Sequence, residues 1–132
     1  MIRTENKPIW QRDKKRVAKK KTPKHLEYDL QVECVNWFHR YFKNYVLYSV
    51  PVEGCVNQMT KFKKSGLLPG VADLVVLFPG GRSVYIEMKS PEGRQRQAQS
   101  VFERKIVNLG FDYYICRSLE QFKEIIHKYT MK

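Results

Sequence analysis

The 132-residue sequence contains no long hydrophobic run, which argues against a membrane-spanning helix. No stretch approaches the roughly 18 consecutive apolar residues that a transmembrane helix needs. The basic N-terminus also lacks the apolar segment of a signal peptide. We therefore expect an intracellular protein of the cytoplasm or nucleoid that is not secreted and has no membrane partner.

Cysteine is scarce. Cys34, Cys55 and Cys116 are far apart in the sequence, odd in number and not arranged as a CxxC pair. This pattern argues against a disulfide framework and against a structural zinc site. We expect reduced thiols, with Cys34 and Cys116 buried.

Several motifs that carry catalysis in other proteins are missing. The sequence has no glycine-rich phosphate loop before a helix, no HExxH zinc motif and no Ser-His-Asp arrangement that spacing supports. Its three histidines are scattered over segments with helical patterns. The remaining candidates for chemistry are the carboxylates and the basic residues.

Acidic residues are outnumbered, with 13 Asp and Glu against 25 Lys and Arg, for a net charge of +12. Residues 1–24 alone hold ten basic and two acidic residues. Such a charge favours a polyanionic partner, first nucleic acid and second an anionic membrane surface, whereas the alternative is a solubilising tail. Residues 1–21 show little apolar periodicity and are predicted to be a flexible basic arm, and residues 22–132 a single domain.

The domain is predicted to begin with a helix at Pro23, because Thr22 suits the N-cap and proline the first helical position. An apolar stripe follows at three- and four-residue spacing, formed by Leu26, Leu30, Cys34, Trp37, Phe38 and Tyr41. Glu27 falls on this same stripe. A carboxylate there needs a partner or a metal, unless it lies at a frayed first turn and interacts with the helix dipole.

Short β-rich segments and two further helical stripes complete the pattern. The sequence predicts an α/β fold with the element order α-β-β-β-α-β-α. The strands are assigned to residues 45–52, 74–78, the run ending at 89, and 111–117. The later helices are assigned to residues 95–109 and to the segment after Ser118, which is the predicted N-cap. Residues 53–70 are predicted to be a loop or short-helix region.

Residues 66–89 contain the most unusual combination of charges. Asp73 opens one apolar run, a Pro-Gly-Gly turn follows, and a second run ends in Glu87-Met88-Lys89. In an antiparallel pair the first and last residues of such a hairpin meet. Because side chains alternate along a strand, Glu87 and Lys89 share a face and Met88 points away. The pattern therefore predicts two carboxylates and an ammonium group in one cluster.

Carboxylate oxygens are ligands that Mg²⁺ accepts, with water and substrate phosphate completing the shell. Asp73, Glu87 and the backbone carbonyl of Met88 are the candidate ligands, with Glu27 as a further one. Lys89 could orient or deprotonate an attacking water and offset charge on a phosphate. The alternative is a plain salt bridge of Lys89 with Asp73 or Glu87.

Basic residues near this cluster are candidates for contacts to DNA phosphates. Lys61, Lys63 and Lys64 precede the Asp73 strand, and Arg94 ends the turn after Lys89. The alternative is an ordinary solvated surface. Contacts to phosphate carry no base preference, so sequence readout is not expected from these residues.

The segments GVADLVVL at residues 70–77 and YIEMK at residues 85–89 resemble the PD-(D/E)XK nuclease superfamily. Over residues 25–129 the chain is similar to a stand-alone VRR-NUC domain, and the arm 1–21 lies outside this resemblance. Alanine precedes Asp73 where the family usually has proline, and Val52 occupies an asparagine-like position.

The resemblance implies a restriction-endonuclease-like core, a central mixed β-sheet flanked by helices. It implies Mg²⁺-dependent phosphodiester hydrolysis, with Mn²⁺ as a substitute. It assigns Asp73 and Glu87 as metal ligands, Lys89 to the attacking water, Glu27 as the first-helix acid and Gln99 as the glutamine on the following helix.

Stand-alone members resemble Holliday-junction resolvases that act as homodimers, which implies a four-way DNA junction as substrate. Two symmetric cuts need two active sites, so one such domain would have to dimerise. The alternatives are a less selective or sequence-specific DNA nuclease, and a basic nucleic-acid-binding module with a decayed site.

Overall fold

The computed structural model describes residues 22–50 and 59–131, in which helices lie on both faces of a four-stranded sheet. The described elements, in chain order, are α1 (Pro23–Tyr41), β1 (Val46–Ser49), α2 (Met59–Lys64), β2 (Leu74–Phe78), β3 (Arg82–Met88), α3 (Gln97–Asn108), β4 (Asp112–Cys116) and α4 (Leu119–Thr130).

The strands lie in the order β1-β2-β3-β4, and the sheet is mixed. β1 and β2, and likewise β2 and β3, are antiparallel, whereas β3 and β4 are parallel. The parallel pair follows from the chain, because α3 separates β3 from β4 and provides the crossover that parallel neighbours need. The fold class predicted from the sequence is confirmed.

The larger hydrophobic core lies between the sheet and helices α1 and α4. Val84, Ile86 and Met88 alternate along β3 with residues of the opposite face, and all three are fully buried. They pack with Cys34 and Phe38 of α1 and with apolar residues of β2, β4 and α4. Both buried cysteines are free thiols, as predicted.

A smaller cluster lies on the opposite face of the sheet, beneath α3. Phe102 and Ile106 pack there with Ala72, Tyr85 and Tyr113. Since odd-numbered β3 residues point to this face, Glu87 lies on the same side of the sheet as α3. The helix therefore covers the face that carries Glu87, whereas Arg82 lies on the opposite face against Tyr129 of α4.

Helix termini follow the predicted caps. The Thr22 hydroxyl accepts a hydrogen bond from the His25 amide, and Pro23 is the first residue of α1. The Ser118 side chain accepts in the same way from the Gln121 amide at the start of α4. Each cap satisfies an amide that would otherwise lack a partner in the first helical turn.

The structure corrects the predicted pattern in several places. A six-residue helix, α2, lies within residues 53–70, for which the sequence predicts a loop or a short helix. The element order therefore gains one helix. Leu26 and Tyr41, at the two ends of the predicted α1 stripe, are 41% and 60% exposed. Leu109, the last residue of the helix predicted over residues 95–109, lies just beyond α3 and is 75% exposed.

Other predictions fall outside the described residues. These are the basic arm 1–21, the end of the first predicted strand, Val52 and Cys55. Within the described residues, no helix is long and apolar enough to cross a membrane.

Gly70 fixes how the chain enters β2. Its backbone has φ +84°, and a Cβ atom there would overlap the Ala98 carbonyl group and lie 2.8 Å from the Gln99 amide nitrogen. Only glycine combines a left-handed conformation with so close an approach to another backbone. Gly70 therefore lets the segment before Asp73 pack directly on the first turn of α3.

We predict that Gly70→Ala destabilises the fold much more than Gly80→Ala. The two glycines have nearly equal φ angles, but nothing lies within 4 Å of a Cβ at Gly80. Gly80→Ala should cost about 1–2 kcal/mol for the left-handed backbone alone. Gly70→Ala should cost roughly 1–3 kcal/mol more, because the α3 backbone must also move. Urea unfolding followed by circular dichroism measures both, and equal losses would contradict the packing argument.

Candidate active site

The antiparallel register of β2 and β3 brings two carboxylates together at one end of the sheet. Leu74 pairs with Ile86, so Asp73, one residue before β2, lies opposite Glu87. The Asp73 carbonyl also accepts a hydrogen bond from the Val50 amide (3.2 Å), which ties this backbone to the chain leaving β1. The predicted meeting of the two hairpin ends is thus observed.

Asp73 is oriented by the backbone of β3. Its Oδ2 accepts a hydrogen bond of 2.7 Å from the Met88 amide. The Met88 side chain is fully buried in the core on the other face of the sheet, as alternation requires. Asp73 is only partly buried, so it remains partly accessible to solvent. The hydrogen bond from the Met88 amide fixes the orientation of its carboxylate.

Glu87 is 1% exposed and has one oxygen bonded and one unpartnered. Its Oε1 accepts a 2.6 Å hydrogen bond from Gln99 Nε2 and lies 3.8 Å from Lys89 Nζ. Its Oε2 is buried without a hydrogen-bond partner. Buried carboxylate oxygens rarely lack a hydrogen-bond partner, because the free-energy cost of removing them from water is then not offset.

Gln99 connects the first turn of α3 to this carboxylate. Its Oε1 accepts from the Arg96 amide at the N-cap (2.8 Å) while its Nε2 donates to Glu87. Because the oxygen has a donor and the nitrogen an acceptor, the side-chain amide can adopt only one orientation. Gln99 therefore holds Glu87 in place.

Glu27 approaches the site from α1. Its Oε1 lies 3.4 Å from the Ser90 amide, which donates to it. Glu27 is the fifth residue of the helix, beyond the first turn, and is half-buried. It is therefore partnered by backbone next to Lys89, and the interpretation of a frayed first turn does not apply.

The three carboxylates interact electrostatically. Burial raises the pKa of Glu87 to about 8, and the neighbouring charges of Asp73 and Glu27 add to this while that of Lys89 opposes it. Burial also raises the pKa of Asp73, although the hydrogen bond from Met88 favours its charged form. A side-chain hydrogen bond between the two carboxyl groups raises the pKa of Glu87 and lowers that of Asp73, so in the metal-free pair Glu87 is the group that holds a proton.

The donor set of Asp73 and Glu87 fits a hard divalent cation. Two carboxylates meet, burial disfavours the charged form of each and the charge of Asp73 further disfavours that of Glu87, and the buried Oε2 of charged Glu87 has no hydrogen-bond donor. A cation would compensate all three features. Within residues 22–50 and 59–131, no group of three or more His, Cys, Asp or Glu is placed to hold a metal, so Glu27 does not complete such a cluster here.

The candidate DNA contacts lie on the surface. Lys61, Lys63 and Lys64 are exposed on α2, whereas Phe62 between them is half-buried and anchors the helix. Arg94 is exposed in the turn before α3. The observed positions leave all four side chains accessible to a polyanion.

The structure thus brings Glu27, Asp73, Glu87, Lys89 and Gln99 to one end of the sheet. Two contributors were missed in the sequence, the amide of Ser90 and the guanidinium of Arg117, which contacts the same turn. Ser90 acts through its backbone and so leaves no side-chain signal. Arg117 could have been found only by knowing that β4 lies beside β3.

A mixed sheet between helices, with two carboxylates at the meeting ends of its central strands, is the restriction-endonuclease-like α/β arrangement. This is a nuclease-type fold. The VRR-NUC domain model matches residues 10–120, and the chain therefore belongs to the VRR-NUC domain family. The resemblance seen in the sequence is confirmed, and the match begins within the basic arm that the resemblance left out.

Two solved structures share this fold. One, a VRR_NUC domain protein, has a TM-score of 0.63 and 22% identity over 78% of this chain and 86% of that chain. The other, a VRR_NUC domain, has a TM-score of 0.58 and 17% identity over 79% of this chain and 97% of that chain. No curated protein matches the sequence.

We predict that Glu87 makes the metal-free protein less stable as pH rises. Its pKa is raised from 4.5 to about 8 on folding, so the folded state binds the extra proton. The contribution to stability is complete below pH 4.5 and is lost as pH rises to about 8, with a slope of up to about 1.4 kcal/mol per pH unit. Glu87→Gln should flatten this decline, leaving the part due to Asp73.

Urea unfolding in chelator between pH 5 and 8 measures the effect. Glu120→Gln is the matched control, because the Glu120 side chain is 79% exposed and its ion pair lies on the surface of α4. Parallel curves for Glu87→Gln and the native protein would contradict the assignment.

Proposed function

We propose that this protein is a Mg²⁺-dependent DNA endonuclease that hydrolyses phosphodiester bonds, with Mn²⁺ as a substitute metal. The single observation that carries the proposal is the buried Glu87 carboxylate, with one oxygen unpartnered, facing Asp73 and lying 3.8 Å from Lys89. If Lys89 only formed a structural salt bridge with Glu87, a second carboxylate would not be needed. The charge of Asp73 instead disfavours the charged form of Glu87.

Asp73, Glu87 and the Met88 carbonyl are the residues that would hold the metal. When bound, Mg²⁺ supplies positive charge against the scissile phosphate and lowers the pKa of water. Gln99 binds Oε1 of Glu87 and so keeps Oε2 available to a metal. The Met88 amide binds Oδ2 of Asp73 and so fixes the orientation of that carboxylate.

Lys89 acts on the attacking water in this proposal. It is 5% exposed and lies on the same side of β3 as Glu87, so its ammonium group is held at the carboxylates. From there it orients the water and offsets negative charge that develops on the phosphate. A confined ammonium does this better than a solvated one, because it needs no reorganisation during the reaction.

The DNA is held by the exposed basic residues Lys61, Lys63, Lys64 and Arg94. We propose a four-way junction as substrate and a homodimer as the active form, in the cytoplasm or nucleoid. This finer assignment is supported by the similarity of the sequence to stand-alone VRR-NUC domains and by the need for two symmetric cuts. The net charge of +12 supports a polyanionic partner in general.

We predict that the native protein cleaves four-way DNA junctions in Mg²⁺ faster than duplex, flap or single-stranded DNA. Asp73→Asn and Lys89→Ala should each lower the cleavage rate by about 10²-fold or more, since each removes charge stabilisation at the phosphate. Gel analysis of end-labelled substrates measures the rates, and Glu120→Gln serves as the control of unchanged activity.

The outcomes separate the alternatives. Full cleavage by Asp73→Asn or Lys89→Ala would overturn the proposed site. Equal rates on plain duplex would replace the junction nuclease with a less selective or sequence-specific one. Tight DNA binding without cleavage in any divalent metal would indicate a binding module with a decayed site.

We predict that saturating MgCl₂ stabilises the folded protein through the same carboxylates. A ligand present at one hundred times its Kd contributes about 2.7 kcal/mol to the free energy of unfolding. Asp73→Asn and Glu87→Gln should lose most of this stabilisation, whereas Glu120→Gln should keep it. Thermal unfolding with NaCl at matched ionic strength measures the difference, and a response retained by both site variants would place the metal elsewhere.

A further inference from the structure

The turn that follows β3 is closed by its own backbone, where the Gly93 amide donates to the Ser90 carbonyl (3.0 Å), and by one arginine from the end of β4. Arg117 Nη1 donates to the carbonyl oxygens of Ser90 and Gly93, each at 2.7 Å, and lies 3.3 Å from that of Pro91. Three carbonyls of one tight turn thus converge on a single guanidinium nitrogen. Hydrogen bonds from a charged donor are roughly twice as strong as neutral ones.

Arg117 is itself held firmly. The Lys89 amide donates to the Cys116 carbonyl (3.0 Å), which continues the β3–β4 ladder by one residue and brings Arg117 beside Lys89. The Arg117 amide donates to Gln121 Oε1 (2.7 Å) in the first turn of α4. The backbone of Arg117 is therefore anchored to the sheet and to a helix, and its guanidinium binds the turn.

The turn closed in this way contacts the candidate active site at two points. The Ser90 amide donates to Glu27 Oε1, and Lys89 immediately precedes Ser90 in the chain. Gly93 packs so tightly that a Cβ there would lie 3.3 Å from Glu27 Oε1 and 2.8 Å from Ser90 Oγ. A movement of the turn would therefore displace both Glu27 and Lys89.

We infer that Arg117 is a positioning residue for the nuclease reaction, which holds the turn 90–93 closed and thereby fixes Lys89 and Glu27 at the carboxylate pair. This inference rests on the proposed function for its catalytic consequence. Its structural part, the closure of the turn by Arg117, stands independently. A different role, direct contact with a DNA phosphate, would engage the substrate rather than the turn.

We predict that Arg117→Met opens the turn. Amide hydrogen exchange at Ser90 and Gly93 should accelerate by about 10- to 100-fold, because the charged donor to three carbonyls is lost. Exchange of the core amides of β2 and β3 should change far less. Arg117→Lys should restore part of the protection, since an ammonium keeps the charge but not the planar geometry of the guanidinium.

Arg40→Met is the matched control, because Arg40 is exposed near the C-terminal end of α1 and contacts only the ring of Tyr41 among the interactions described. It lies 13 residues along α1 from Glu27, which is about 20 Å in a helix. It removes the same charge without touching the turn. Unchanged exchange at Ser90 and Gly93 in Arg117→Met would overturn the inference.

Cleavage kinetics test the catalytic consequence. Arg117→Met should lower kcat by about 10- to 100-fold with KM little changed, because misplacing a catalytic group by about 1 Å has effects of this size. Arg117→Lys should recover part of kcat, and Arg40→Met should resemble the native protein. A raised KM with native kcat would instead identify Arg117 as a DNA contact and overturn the positioning role.

The two proposals fail in distinguishable ways. If the native protein cleaves no DNA, the proposed function fails, while the exchange data still decide whether Arg117 closes the turn. If the native protein cleaves DNA and Arg117→Met opens the turn without lowering kcat, the positioning role fails and the nuclease assignment remains.

Discussion

The pairing of β2 with β3 is the constraint on which the candidate site depends. One register, Leu74 opposite Ile86, both buries Val84, Ile86 and Met88 in the core and sets Asp73 against Glu87. A slip of one residue would turn Val84, Ile86 and Met88 toward α3 and Glu87 into the hydrophobic core. The hydrophobic effect that stabilises the sheet therefore also fixes the distance between two carboxylates that repel each other.

The register of β2 and β3 keeps the Glu87 carboxyl group buried, although burial of this group is unfavourable. Glu87 is among the least exposed side chains of the described protein, its pKa is raised, and Oε2 has no partner. Gln99, Lys89 and the Met88 amide offset part of the cost. Functional sites commonly concentrate such compromises, because groups arranged to bind charge from a ligand cannot all be satisfied without it.

Residues of several helices and strands fix the positions of Asp73 and Glu87. Gly70 lets the entry to β2 pack on α3, which carries Gln99, while Arg117 connects β4 to the turn beside Glu27. Helices α1 and α3 lie on opposite faces of the sheet, yet both supply a polar side chain to the same end of it. The site is thus assembled from every major layer of the fold.

Much of the fold and of the candidate site could be predicted from the sequence, because these parts depend on local sequence patterns. Alternation along β3 separated Glu87 and Lys89 from Met88, the Pro-Gly-Gly turn implied that Asp73 and Glu87 meet, and the caps of α1 and α4 followed from Thr22 and Ser118. The contacts of Arg117, the Ser90 amide and the exposed ends of the α1 stripe could not be predicted in this way. They depend on which elements are neighbours, and this is set by packing between residues far apart in the chain.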